Sequence, residues 1–384
     1  MEPVRIGMVG CGGMMGAHRR GMELLWEAGW REFRVAATCD VDRSRAETMA
    51  DAVAAWQDER PRVFASVEDL LAGAPEVEAI ETCAVHRAHH TIAVPCLQAG
   101  KHLLIEKPLA MTLRAGRLIL EAAEQAGVRL QVAEQYRRRP HQRAIREALA
   151  AGRIGAPRML FWIEARERLW HWGWREDKLQ AGGGWTLDGG VHFADEFRYH
   201  LGPVTRVSAL MRSFFPTRYR ERDPLGDPVA VDVEDATMAN LEFESGVIGQ
   251  WTETNVAPGH GVSARVIYGS EGCLDFSQGL KSRTEERSLD DLTADYMAAL
   301  EPAEKERLFP QGVTDPMATE IAEFVRAVRG QGEIETDGWE GYRAQAVSMA
   351  VYESAAAGRP VTLEEVESLE MEEYQGPLNR DMGL

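Results

Sequence analysis

Five short apolar runs, each followed by a helical stretch, fill the first third of the chain and restrict it to very few folds. The runs are 4–10, 33–39, 77–82, 101–105 and 128–133. Between them lie helical patterns at about 16–28, 43–55, 67–71 (with Ser66 as its N-cap), 89–99 and 112–126. Apolar runs this short suit strands buried on both faces, and strand–helix alternation with short connections predicts a parallel, doubly wound sheet of the α/β class. The pattern ends near Ala133.

The rhythm then changes. After an amphipathic helix over about 140–151 come strand-like segments at 157–167, 204–215, 235–243, 247–255 and 264–268, with Glu244-Ser245-Gly246 as a hairpin turn. Strands without intervening helices predict an antiparallel or mixed sheet, hence an α+β second domain. Further helices fall near 193–200, 316–328 and 339–357. Residues 216–232, rich in Pro, Asp and Arg, read as a loop, and the charged stretch 277–313 has no clear assignment. A chain of 384 residues exceeds one ordinary core, so the expected division is 1–133 and 134–384.

A formal charge of −18 argues against nucleic acid or an anionic membrane as partner. No apolar stretch approaches a membrane span, and Met1–Arg5 runs straight into a strand without a leader pattern. The five scattered cysteines show no CxxC or zinc spacing and read as reduced thiols of a cytoplasmic protein.

Gly10-Cys11-Gly12-Gly13-Met14-Met15-Gly16 joins the first strand to the first helix. Glycines there permit a tight turn and let backbone N–H groups approach a pyrophosphate at the helix start. Met15 stands where the third glycine of the G-x-G-x-x-G spacing belongs, so the motif alone is also compatible with an ordinary turn. Asp40 ends the second strand, where a carboxylate would meet an adenosine ribose and repel a 2′-phosphate. That favours NAD and leaves NADP open, because Arg43 and Arg45 are close by. The competing reading makes Asp40 the cap of the next helix, a place Asp42 also suits.

Glu106-Lys107-Pro108 lies at the carboxyl end of the fourth run, where open α/β sheets bind ligands. Lys107 could fix a substrate hydroxyl by its charge; alone it would equally be a surface lysine. Asp188 and His192 stand four residues apart at a helix start, on one face, as a carboxylate that orients an imidazole base. The bland alternative is a helix cap and a satisfied histidine. Glycines 182–184, 189 and 190 surround the pair, which suits backbone that approaches a ligand. In the run from Trp170 to Arg175, Trp174 and Arg175 are candidate substrate contacts, the alternative being a hydrophobic plug over the second domain, with Glu134 and Tyr136 as further lining. Arg137–Arg139 read as a solvated or intersubunit surface, and His86, His89 and His90 lack the carboxylate spacing of a metal site, so no metal is expected.

These residues together resemble the glucose–fructose oxidoreductase / inositol dehydrogenase / rhizopine catabolism family of NAD(P)-dependent oxidoreductases. The match runs from His89-x-x-x-Ala93 through Gly100-Lys101-His102 into Glu106-Lys107-Pro108, then Gly183-Gly184-x-x-Leu187-Asp188-x-Gly190-x-His192-x-x-Asp195, and finally Asp337-Gly338 and Glu353-Ser354-x-x-x-Gly358-x-Pro360-Val361. The resemblance implies a dinucleotide-binding Rossmann domain, then a substrate-binding α+β domain with a large, open, mostly antiparallel sheet that serves a homodimer or homotetramer. It implies oxidation of a sugar or polyol hydroxyl, with Lys107, Asp188 and His192 catalytic and substrate-binding. Cofactor contacts are implied at Gly10, Gly12, Gly13, Met14, Met15, Asp40, Thr82, His89, Glu106, Lys107 and Pro108. An NAD-dependent glycosidase and a non-catalytic sugar sensor are the rival readings within this fold.

Overall fold

The computed structural model describes residues 2–384. The chain divides into two compact units, and the division does not follow a single cut at 133/134. The first unit comprises residues 1–110, 115–139 and 300–341; the second comprises 111–114, 140–299 and 342–384.

In the first unit six strands form one parallel sheet: β1 (Val4–Val9), β2 (Phe33–Cys39), β3 (Arg62–Phe64), β4 (Ala79–Thr82), β5 (His102–Glu106) and β6 (Leu130–Ala133), in the order β3-β2-β1-β4-β5-β6. This is the doubly wound order that reverses beside β1, where such sheets bind ligands. The reading from sequence omits β3, a three-residue edge strand whose Arg62 is exposed and which carries no apolar run. The first helix, Gly13–Glu27, starts earlier than expected and buries Met15, His18, Met22 and Leu25, a 3.6-residue stripe. Met15, Met22 and Leu25 share a core with Ile321, Phe324 and Val325 of the helix Pro316–Val328. A Cβ on Gly21 would lie 2.9 Å from the Ala318 amide, so glycine lets the two helix backbones approach. This packing returns residues 300–341 to the first unit.

The second unit holds a nine-stranded sheet. Its members are β7 (Pro157–Ala165), β8 (Val204–Arg212), β11 (Ala236–Phe243), β12 (Ile248–Thr254), β13 (Val262–Gly269), β14 (Gly272–Asp275), β15 (Gly279–Ser282), β16 (Glu286–Ser288) and β17 (Val361–Thr362). Only β7 and β12 pair in parallel. On the inner face Trp162 and Trp251 receive Phe193 and Phe197 of the helix Gly190–Leu201, with ring centroids 5.0–5.5 Å apart. On the outer face Leu210, Met238 and Ile248 are exposed at 65%, 60% and 59%.

Two expectations are corrected here. Residues 216–232 are not a loop: β9 (Thr217–Arg222) and β10 (Leu225–Ala230) pair as an antiparallel hairpin. Its strands are mostly exposed and carry no regular apolar–polar alternation, the pattern that marks a half-buried strand. The stretch 277–313 contains β15, β16 and the helices Leu289–Ala299 and Pro302–Leu308. No helix among the described residues is long and apolar enough to cross a membrane.

Candidate active site

β1, β4 and β5 are in register at their carboxyl ends, with Val9 beside Thr82 and Thr82 beside Ile105. The glycine turn, Cys83 and Lys107 therefore leave the sheet side by side. Gly10 takes φ +81°, and a Cβ there would meet the Cys83 carbonyl group at 2.9 Å, so this glycine is required by the fold itself. Gly12 and Gly13 differ: a Cβ on either would meet nothing within 4 Å. Gly12 is the N-cap of the helix, no side chain caps it, and no acidic residue lies in the first turn. Open backbone donors at an uncapped helix start are the donor set a pyrophosphate needs. The Met15 side chain is fully buried in the core, so it has left the ligand-facing surface that a third glycine would have kept clear.

Asp40 braces this turn. Its Oδ2 accepts from the Cys11 amide at 2.7 Å and its Oδ1 from the Asp42 amide at 2.9 Å. The helix cap is Asp42, which accepts from the Ser44 amide, so Asp40 is not the cap. Arg43 and Arg45 form ion pairs with Glu47 and Asp42.

Lys107 is 8% exposed and Glu106 4%. Glu106 is engaged by the protein: Oε2 accepts from the Lys107 amide at 2.9 Å, and Oε1 lies 3.0 Å from His18 Nε2. His18 Nδ1 in turn lies 2.5 Å from Glu81 Oε1. His89, expected at the cofactor, has no accessible surface. It lies between the carbonyls of Pro108 (2.9 Å) and Ala84 (3.2 Å), and burial pushes its pKa down to about 4. It is a neutral brace between two loops. Thr82 and Glu134 are likewise fully buried, whereas Tyr136 is partly exposed under the Arg139 guanidinium. Arg138 is not solvated: it is 1% exposed and pairs with Glu320 and Glu323.

In the second unit Asp188 ends the short helix Trp185–Asp188, and His192 lies in the first turn of Gly190–Leu201, with Gly189 between the two helices. Both side chains are buried, at 3% and 5% exposure. The Arg175 Nε lies 3.2 Å from Asp188 Oδ2, so the sequence pair acquires a guanidinium. That guanidinium sits over the Trp172 and Trp174 rings, and Trp172 stacks on Trp185 at 5.2 Å. Trp174 and Arg175 thus belong to one cluster with Asp188. Glu176, which the sequence reading missed, anchors it by accepting from the Trp172 amide and pairing with Arg168 and Arg218.

The glycines around Asp188 have a different cause from the expected one. A Cβ on Gly182 would strike Met111 at 2.7 Å, on Gly183 the Tyr352 phenol, on Gly184 the Glu234 carbonyl at 2.9 Å, and on Gly190 the Trp251 ring at 2.5 Å. Protein side chains, not a ligand, occupy that space. Glu234, unmarked in the sequence, accepts from the amides of Gly184 (2.8 Å) and Thr186 (3.0 Å) and from the Tyr352 hydroxyl (2.8 Å). It caps from a distance the helix that presents Asp188. Among the described residues no group of three or more His, Cys, Asp or Glu is placed to hold a metal.

Residues 4–134 match the family model described as an oxidoreductase family with an NAD-binding Rossmann fold, and 142–275 match the GFO/IDH/MocA C-terminal domain. The chain belongs to the glucose–fructose oxidoreductase / inositol dehydrogenase / MocA family. It is an NAD(P)-dependent oxidoreductase. Among relatives, 1,5-anhydro-D-fructose reductase of Ensifer adhaerens is 32% identical over 302 residues, 78% of this chain and 83% of that one. Inositol 2-dehydrogenase of Rubrobacter xylanophilus is 27% identical over 378 residues, 95% of each chain. The solved structure of a levoglucosan dehydrogenase with NADH and L-sorbose shares the fold, with a TM-score of 0.76 at 21% identity over 94% of this chain and 99% of that one.

Proposed function

We propose that this family member oxidises a secondary hydroxyl of a sugar, sugar derivative or inositol-like polyol to a ketone, with NAD preferred over NADP. The nicotinamide, when bound, accepts the hydride. The backbone of Gly10, Gly12, Gly13, Met14 and Met15 holds the pyrophosphate, and Asp40 faces the adenosine ribose. His192, oriented by Asp188, takes the hydroxyl proton; Lys107 holds the oxygen and offsets its developing negative charge. Trp174 and Arg175, with Tyr136, contact the sugar. Support for NAD comes from Asp40, whose carboxylate opposes a 2′-phosphate, and from Arg43 and Arg45, which are engaged by Glu47 and Asp42. Relatives named for an anhydrosugar and an inositol support the substrate class.

The observation that supports this reading is the carboxyl edge of one sheet, which offers an open glycine turn after β1 and a buried lysine after β5, with only β4 between them. Lys107→Ala should keep NADH binding, read by fluorescence titration, and lower turnover by about 10³-fold. The turnover assay is a panel of monosaccharides, anhydrosugars and inositols with NAD and NADP, read by NADH absorbance. Wild-type turnover in the variant refutes the role of Lys107. Aglycone release from glycosides without NADH accumulation would replace the dehydrogenase by the glycosidase reading.

The outer face of the nine-stranded sheet, with Leu210, Met238 and Ile248 exposed, is the proposed contact of a homodimer or homotetramer. Met238→Asp should lower the mass measured by light scattering; an unchanged mass removes this face from the assembly.

A further inference from the structure

His18 is the one charged or polar residue on the buried stripe of the first helix, and both its ring nitrogens face carboxylates. Nδ1 meets Glu81 from the end of β4, and Nε2 meets Glu106 from the end of β5; the three side chains are 1%, 1% and 5% exposed. A neutral imidazole has one donor and one acceptor, and an ionised carboxylate only accepts. Two carboxylates on opposite ring nitrogens therefore call for two N–H donors, the imidazolium. The second oxygen of Glu81 is buried and has no hydrogen-bond partner, so Glu81 is answered by His18. The other oxygen of Glu106 accepts from the amide of Lys107. Four buried charges, His18⁺, Glu81⁻, Glu106⁻ and Lys107⁺, then sum to zero, as buried charges must approach to be tolerated.

We infer that His18 is a positioning residue for Lys107: an imidazolium clamped between Glu81 and Glu106 that holds the Glu106 carboxylate on the Lys107 amide and fixes where β5 delivers the lysine. The inference rests on the reading of Lys107 as the lysine of the reaction. Burial opposes the charge on His18, but the carboxylates of Glu81 and Glu106 outweigh it and hold the ring protonated, while the adjacent Cys83, pushed up to about 12 by burial, stays a neutral thiol. Glu320 of the helix Pro316–Val328 also acts on this group, while Arg138 engages Glu320 from its other side.

The test uses the whole protein, which has ten histidines and only five lysines. ¹⁵N-histidine NMR should show His18, assigned through His18→Gln, with both nitrogens protonated and not titrating between about pH 6 and 9, well above its ordinary range. Reductive ¹³C-methylation reports the lysine amines, with Lys107 assigned through Lys107→Arg. In His18→Gln the Lys107 signal should titrate about one pH unit higher, because a neighbouring cation is lost, while the other four lysines stay in place. Glu81→Gln is the second variant: with one carboxylate gone, His18 should begin to titrate within that window. A singly protonated His18 in the wild-type protein at neutral pH, or a Lys107 titration unmoved in His18→Gln, overturns the clamp. Neither readout requires turnover. Wild-type turnover in Lys107→Ala would sink the catalytic reading while leaving the clamp to be judged by NMR alone.

Discussion

Residues 10–16 and 182–190 are both glycine-rich stretches ahead of a helix, yet the space in front of them differs. Before Gly12 and Gly13 there is nothing within 4 Å of a built Cβ. Before Gly182, Gly183, Gly184 and Gly190 stand Met111, Tyr352, Glu234 and Trp251. The first cluster keeps side chains away so that something else can approach. The second admits the protein's own side chains against a backbone that carries Asp188. Glycine density alone therefore does not distinguish a ligand cradle from a tightly packed support; the occupant of the missing Cβ does.

Three substitutions can break or sharpen this contrast. The largest effect is expected in the second cluster: Gly183→Ala drives a methyl into the Tyr352 phenol and should cost about 3 kcal/mol in chemical denaturation, the upper part of the overpacking range. A loss below about 0.5 kcal/mol would mean that Tyr352 moves aside freely and the support is loose. In the first cluster Gly13→Ala, at the first helical position with open space before it, should leave unfolding unchanged or raise stability by up to about 1 kcal/mol. NADH affinity should fall roughly tenfold, or about 1.4 kcal/mol. If stability falls and affinity does not, the two regions have the same role and the contrast fails. The smallest effect is expected for Tyr374→Phe. It removes one hydrogen bond, from the phenol to the Gly182 carbonyl at 2.9 Å, and should cost about 1 kcal/mol with NADH affinity unchanged.

The parallel sheet was legible because each of its longer strands is an apolar run, and β1, β2 and β5 are closed by Gly10, Asp40 and Lys107-Pro108, a local signal. β3 was not, since three residues with one exposed arginine make no pattern. The hairpin β9–β10 failed for a related cause: its strands are mostly exposed and carry no regular alternation, so only pairing across the turn reveals it. Among the candidate site residues, Lys107 and Asp188 stand in motifs and Arg175 in an aromatic run, so local sequence singled them out. Glu234 was not, because it acts across some fifty residues on two amides and leaves no trace beside them. His18 carried a signal that was passed over: a histidine three residues after Met15 and four before Met22 falls on the apolar face, where a polar side chain must find partners. The glycines at 182–190 were noticed for the wrong reason, because the aromatic and acidic side chains that fill their space come from distant sequence.

The return of residues 300–341 to the first unit has a consequence for biosynthesis. The helix Pro316–Val328 supplies Ile321, Phe324 and Val325 to the core beneath the first helix. A ribosome emits the opening βα repeats long before that cover exists, leaving Met22 and Leu25 without their final neighbours until most of the chain has been translated. A nascent chain of this protein thus carries an unfinished nucleotide-binding half through most of its synthesis, which is the interval when a chaperone that shields apolar surface would matter most.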